Sequence, residues 1–183
     1  MLKRLSILTA LVIALFFSFC SERKNFEKEI AVLDSLRLEL EKGIAVYKTI
    51  DTARLNRRIN EYEQNFNLIS EQIKDTLEKN DGEALNTYKY LKKPLNYLYT
   101  KNKDFIIELE TSKNQLRDLA EDLKNHKIED AKAFEYFHNE RSNSIDLLKQ
   151  VDKDMNLAKN ECSRFDSLNV KIKELIERYT NKK

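Results

Sequence analysis

The chain has 183 residues, with 33 Lys+Arg against 31 Asp+Glu, and only two glycines, one proline and two cysteines. A charged share of 35% with so few helix breakers excludes a sheet protein or a disordered tail and describes long amphipathic helices. The near-balance of charge excludes a global field that would recruit nucleic acid.

Lys3 and Arg4 precede an apolar run from Leu5 to Phe19, broken only by Ser6, Thr9 and Ser18, and Cys20-Ser21-Glu22 follows. A basic start before ~7–15 apolar residues is a secretory signal, whereas a membrane-spanning helix needs ~20. A cysteine closing such a run resembles the lipobox of bacterial lipoproteins, although Phe17 and Phe19 stand where the usual box has leucine and a small residue. The resemblance covers residues 1–20 and bears on location, not activity. It implies that residues 1–19 are a signal peptide, that the Cys20 sulfur carries diacylglycerol and that the new amino terminus is acylated. By the family's sorting rule, Ser21 favours the outer membrane over the inner. An uncleaved anchor and a plain secretory signal are the alternative readings of the same run.

Loss of Lys3 and Arg4 with the leader leaves 31 side chains of each sign, a neutral mature protein. Cys162 then has no internal partner and reads as a small hydrophobe on the stripe of the last helix, with a reactive thiol or a dimer crosslink as the alternatives. Residues 20–25 form the acylated terminus and a short tether, so the bundle is expected to ride close to the membrane. Residues 26–183 form the helical domain.

Apolar residues from Phe26 through Ile30, Leu33, Leu36, Leu40 and Ile44 to Tyr47 predict a first helix, with Gly43 lowering its local stability by ~1 kcal/mol. Thr49-Ile50-Asp51-Thr52 offers N-cap side chains for the second. There Leu55, Ile59, Tyr62, Phe66, Ile69, Ile73 and Leu77 recur in steps of four and three, the seam of a helix packed on other helices. Asn80-Asp81-Gly82 is expected to stop it.

A third helix is expected from about Glu83 to about Asn125, kinked or broken at Pro94. Asn102 and Ser112 occupy positions on its stripe, which predicts looser packing in its middle. A turn at His126–Glu129 leads to a last helix whose stripe includes Phe134, Phe137, Arg141, Ile145, Leu148, Met155, Phe165, Ile172 and Tyr179. Ser142-Asn143-Ser144 is its expected soft point. The fold class is therefore all-α, an antiparallel bundle of long, coiled-coil-like helices in which two short helices pack along a longer hairpin. A two-helix hairpin that dimerises is the second architecture.

No catalytic constellation is recognisable. His126 and His138 are the only histidines, and neither lies in an H-E-x-x-H. Glu135 and His138 have the E-x-x-H spacing of di-iron bundles, but the second copy that such a site needs is missing. Gly43 and Gly82 stand isolated, so no phosphate loop is formed. No enzyme activity, metal or cofactor is expected beyond the acyl chains on Cys20.

One stretch departs from the average. Between Tyr88 and Lys103 lie four of the eight tyrosines and five lysines, with no acid. Tyr90 and Tyr97, seven residues apart, with Lys93 and Lys101 beside them, form a candidate binding patch for a protein partner, a glycan or anionic headgroups. The same tyrosines could instead pad the shoulder of the core around Pro94. The expected function is that of a non-enzymatic, lipid-anchored helical protein of the bacterial cell envelope that binds a protein partner or braces an assembly. A holdase-like periplasmic chaperone and a surface protein that binds a host factor or toxin are the other readings.

Overall fold

A computed structural model describes residues 24–73 and 77–181. The leader, Cys20 and the terminal Lys182 and Lys183 lie outside the described residues. Among the described residues there are five α-helices and no strand: α1 Glu27–Tyr47, α2 Thr52–Gln72, α3 Lys79–Lys89, α4 Lys92–Lys124 and α5 Asp130–Thr180. The chain is an all-α helical bundle, as the periodicity predicts.

The five helices make three rods. α5 is one unbroken rod of 51 residues, ~75 Å long. α1 and α2 follow one another along it in its own direction: Tyr47 meets Asp154, Arg58 meets Asp166 and Asn65 meets Asn169. α3 and α4 run the opposite way, with Asp81 on Arg178, Tyr88 on Asn169 and Ser112 on Ser144. The short helices are thus stacked end to end along the hairpin, and the cross-section is three helices.

Helix ends follow local chemistry where a side chain supplies it. Asn25 Oδ1 accepts the Glu27 N–H (2.9 Å), and Glu27 and Glu29 suit the positive end of α1. Phe26 is buried against Phe134, ring centroids 5.6 Å apart, with Lys24 Nζ 3.8 Å from the Phe134 centroid. Asp51 Oδ1 accepts the Arg54 N–H (2.8 Å) and caps α2. Pro94 falls in the first turn of α4, where its missing N–H costs nothing. The Tyr90 carbonyl is the one Pro94 cannot serve, and the break comes there, with Tyr90 and Leu91 bonded to Thr87 and Tyr88 three residues back.

Three expectations need correction. α2 ends at Gln72, and Asn80-Asp81-Gly82 opens α3 instead of stopping α2. No described glycine has a positive φ, and the Gly82 N–H donates to the Glu78 carbonyl (2.9 Å). The cause is tertiary: the Glu78 N–H donates to the Tyr179 hydroxyl (3.2 Å) and Arg178 holds Asp81 at 2.7 Å, so the chain returns where α5 ends. Next, α5 has no soft point at Ser142–Ser144. Ser144 is fully buried, its Oγ 3.2 Å from Ser112 Oγ, and two small side chains let α4 and α5 approach closely. Arg141, placed on the stripe by spacing, is exposed. Asn102 and Ser112 are buried where the α4 stripe places them.

The core is divided. α1, the second half of α4 and the first half of α5 enclose one apolar cluster around Leu33, Leu40, Leu109, Leu116 and Val151. α2, α3, the start of α4 and the second half of α5 enclose another around Leu55, Tyr88, Leu95, Phe165 and Ile172. Ile50, between α1 and α2, packs against both.

Two predictions follow from local geometry. α4 ends in a Schellman turn: the Lys127 N–H bonds to the Asp122 carbonyl (3.0 Å) and the His126 N–H to the Leu123 carbonyl (3.2 Å), with His126 at φ 49°. A histidine there pays for a left-handed backbone that glycine adopts freely. His126→Gly is expected to raise the thermal midpoint by ~2–4 °C, from ~1 kcal/mol; a fall measured by circular dichroism would contradict this geometry.

Arg58, buried under its own contacts, holds Asp166 with Nε at 2.9 Å and Nη2 at 2.7 Å. These hydrogen bonds, helped by the Arg58 charge, keep the Asp166 carboxyl below its usual range although burial pushes the other way. A depressed folded-state value means the pair stabilises above the unfolded carboxyl range and is lost as pH falls through the lower value. Urea midpoints of wild type and Asp166→Asn should therefore differ at about pH 6 and converge near pH 2. Parallel pH profiles would remove this pair from the acid transition.

Candidate functional site

The tyrosine–lysine stretch is divided by the α3–α4 break. Tyr88 belongs to the core: it stacks on Tyr62 (5.0 Å) and Phe165 (5.7 Å), and its hydroxyl donates to Asn169 Oδ1 (2.9 Å) and accepts from Asn65 Nδ2 (3.2 Å). Burial pushes its hydroxyl up to about 12. Tyr90 closes α3 and is 68% exposed. Lys92 turns back to Glu63 (3.0 Å) across the Tyr62 ring. Lys93 is exposed on the first turn of α4.

Tyr97 and Lys101, one turn apart on α4, line an open cleft of about 910 Å³ between α4 and α5. Tyr90 and Lys93 lie outside its lining, and no residue of α1 or α2 reaches it. Phe105, Ile107 and Leu147 give the groove apolar lining, and Asp104, Glu108 and Asp146 line it beside them. The lysine-rich patch read from sequence therefore opens onto an acidic cleft. Asp104 and Glu108 fall just beyond the acid-free stretch, and Asp146 comes from another helix.

At the upper end of the groove Tyr97 joins a buried network. Asp154 is 1% exposed and accepts from the Tyr47 hydroxyl at 3.1 Å, the Tyr97 hydroxyl at 3.4 Å and Gln150 Nε2 at 2.7 Å. Gln150 also donates to the Tyr97 hydroxyl (3.1 Å). Burial, then the Asp154 charge, raises both tyrosine hydroxyls above their ordinary value. Nearby on α4, Asn102 Nδ2 is buried without a hydrogen-bond partner. Periodicity had a signal for Asp154, because a carboxylate one step from Met155 interrupts the α5 stripe. What it lacked was the partner, since Tyr47 is 107 residues away.

The remaining candidates are structural in their setting. Cys162 is half-buried in a small cleft of about 240 Å³ beside Arg54, Arg58 and Lys159. Burial raises its thiol even though Arg58 pulls the other way, which keeps it protonated and poorly nucleophilic. His126 forms the turn described above, and His138 is exposed with its ring against Phe137. Among the described residues no group of three or more His, Cys, Asp or Glu could hold a metal ion, and no described helix is long and apolar enough to cross a membrane.

Compared with known families, curated proteins and solved structures, the chain has no match. The groove and the chemistry of its walls are the basis for a functional reading.

The network makes a stability prediction. Asp154→Ala strands the fully buried Tyr47 hydroxyl and is expected to cost ~2–3 kcal/mol. Tyr97→Phe, whose hydroxyl is at the half-exposed edge, should cost under ~1 kcal/mol. Urea denaturation of the two variants checks the order; equal losses would mean that Tyr47 finds another acceptor.

Proposed function

We propose that the protein is a lipid-anchored, non-enzymatic helical protein of the bacterial cell envelope that carries a partner-binding groove on a stiff three-helix rod. The observation that supports it is where packing begins. Lys24 already lies on the Phe134 ring and Asn25 Oδ1 already accepts the Glu27 N–H, so packing begins four residues after Cys20 and α1 seven after it. A lipid on Cys20 would then be at most ~14 Å of extended chain from the first packed residue. A tether so short transmits position: the end of the rod carrying Phe26, Phe134 and the α4–α5 turn is held at the bilayer. The groove of Tyr97 and Lys101 sits along the side of that rod and is offered to a protein partner in the envelope. No nucleic acid is implied by a neutral mature charge.

Metabolic labelling with a palmitate analogue tests the anchor. Wild-type protein is expected to be labelled and to sediment with membranes, and Cys20→Ala to be unlabelled and released on cell lysis. Equal labelling of both forms, or none of either, would sink the proposal.

A further inference from the structure

The geometry points to one occupant for the α4–α5 groove: a basic amphipathic helix of a partner protein, about five turns long. This deepens the partner-binding part of the proposal above and rests on it, but not on the lipid anchor.

The rows that line the groove have helix-docking spacing. On α4 they run from Tyr97 through Lys101, Asp104, Glu108 and Thr111 to Gln115, in steps of four and three. On α5, Asn143, Leu147 and Gln150 repeat the same steps. Two such rows on neighbouring helices form the cleft into which a bundle accepts another helix. From Tyr97 to Gln115 the row covers ~27 Å, the length of an 18-residue helix. With α1 and α2 absent from the lining, this cleft lies on the side of α4 and α5 turned away from them.

Chemistry selects the partner. Ile107 is 51% exposed and Leu147 half-buried, so the groove offers apolar surface to an apolar stripe. Within the α4 row, Asp104 and Glu108 are exposed and form no ion pair or hydrogen bond within the described chain. Asp146 pairs only with Lys149 at 2.9 Å, both about 70% exposed, a contact of little strength that a new cation displaces readily. Lys101 is the single base in the lining against these three acids. Lys and Arg flanking the partner's apolar stripe would meet them. A second copy of this chain fits less well, since two-fold pairing of this face with itself brings six acids together with only two lysines.

The test uses the purified full chain in neutral detergent and two fluorescent 18-residue peptides. Both carry a Leu/Ala stripe at steps of four and three, one with Lys and Arg flanks and one with Glu flanks. Fluorescence anisotropy is expected to give at least tenfold tighter binding for the basic peptide. Ile107→Asp should abolish that binding with helicity unchanged, and Asp104→Lys combined with Glu108→Lys should invert the peptide preference. Equal affinities, or basic-peptide binding that survives Ile107→Asp, would overturn the inference. So would a dimer in sedimentation that Ile107→Asp dissociates, which assigns the groove to a second copy. If neither peptide binds but the acylated protein still crosslinks an envelope protein through another face, the groove is lost and the partner-binding reading stands.

Discussion

The bundle depends on the continuity of α5. Its 51 residues run without a proline or glycine, and most of the stability of such a helix comes from packing its amphipathic face. Each of the other helices is shorter and packs against this one, while α1 and α2 lie against α4 as well. Their interruptions are staggered along it. The α1–α2 break lies level with Asp154, where Tyr47 bonds, and the α3–α4 break near Phe165, where Tyr88 stacks. Those levels are ~16 Å apart along α5. The two breaks therefore do not fall at one level, and a chain with two internal breaks still makes a stiff object.

Polar groups fix how the rods slide against one another. Apolar stripes in steps of four and three tolerate a shift of one heptad, whereas a buried donor is satisfied only at its partner's height. Asp154 locks α1 and α4 to α5 through two tyrosine hydroxyls. Further along, Asn169 accepts from Asn65 (2.7 Å) and Tyr88 (2.9 Å) and donates to Glu61 (2.8 Å), which locks α2 and α3 at a second level. Ser112 and Ser144 mark a third. The unpartnered Asn102 Nδ2 is a cost at the same waist, of the order of 1–3 kcal/mol for a buried donor. The waist thus separates two apolar clusters at the level where the Tyr97 end of the groove begins.

This arrangement also accounts for the character of the groove. A three-helix rod buries one side of α4 and of α5 under α1 and α2, and the opposite side remains open. Tyr97 belongs to both worlds: its hydroxyl is drawn into the buried network, and its ring lines the cleft. Occupancy of the cleft is therefore in direct contact with the residue set that holds the rods in register.

Helix existence was legible along the chain because the seam of Leu55, Ile59, Tyr62, Phe66 and Ile69, and its counterparts, repeat at a period that only a helix can bury. The Asp51 cap and the Pro94 break were legible for the same reason: each acts within one turn of itself. Placement at long range was not. That α2 stops at Gln72, that Gly82 is helical, that Ser144 is core and Arg141 solvent, and that Asp104, Glu108 and Asp146 share one cleft all turn on partners tens to a hundred residues away. Spacing along a single helix defines a stripe, but which flank of the stripe is covered depends on how many neighbours the rod has, and the two neighbours of each rod were not written in any one of them.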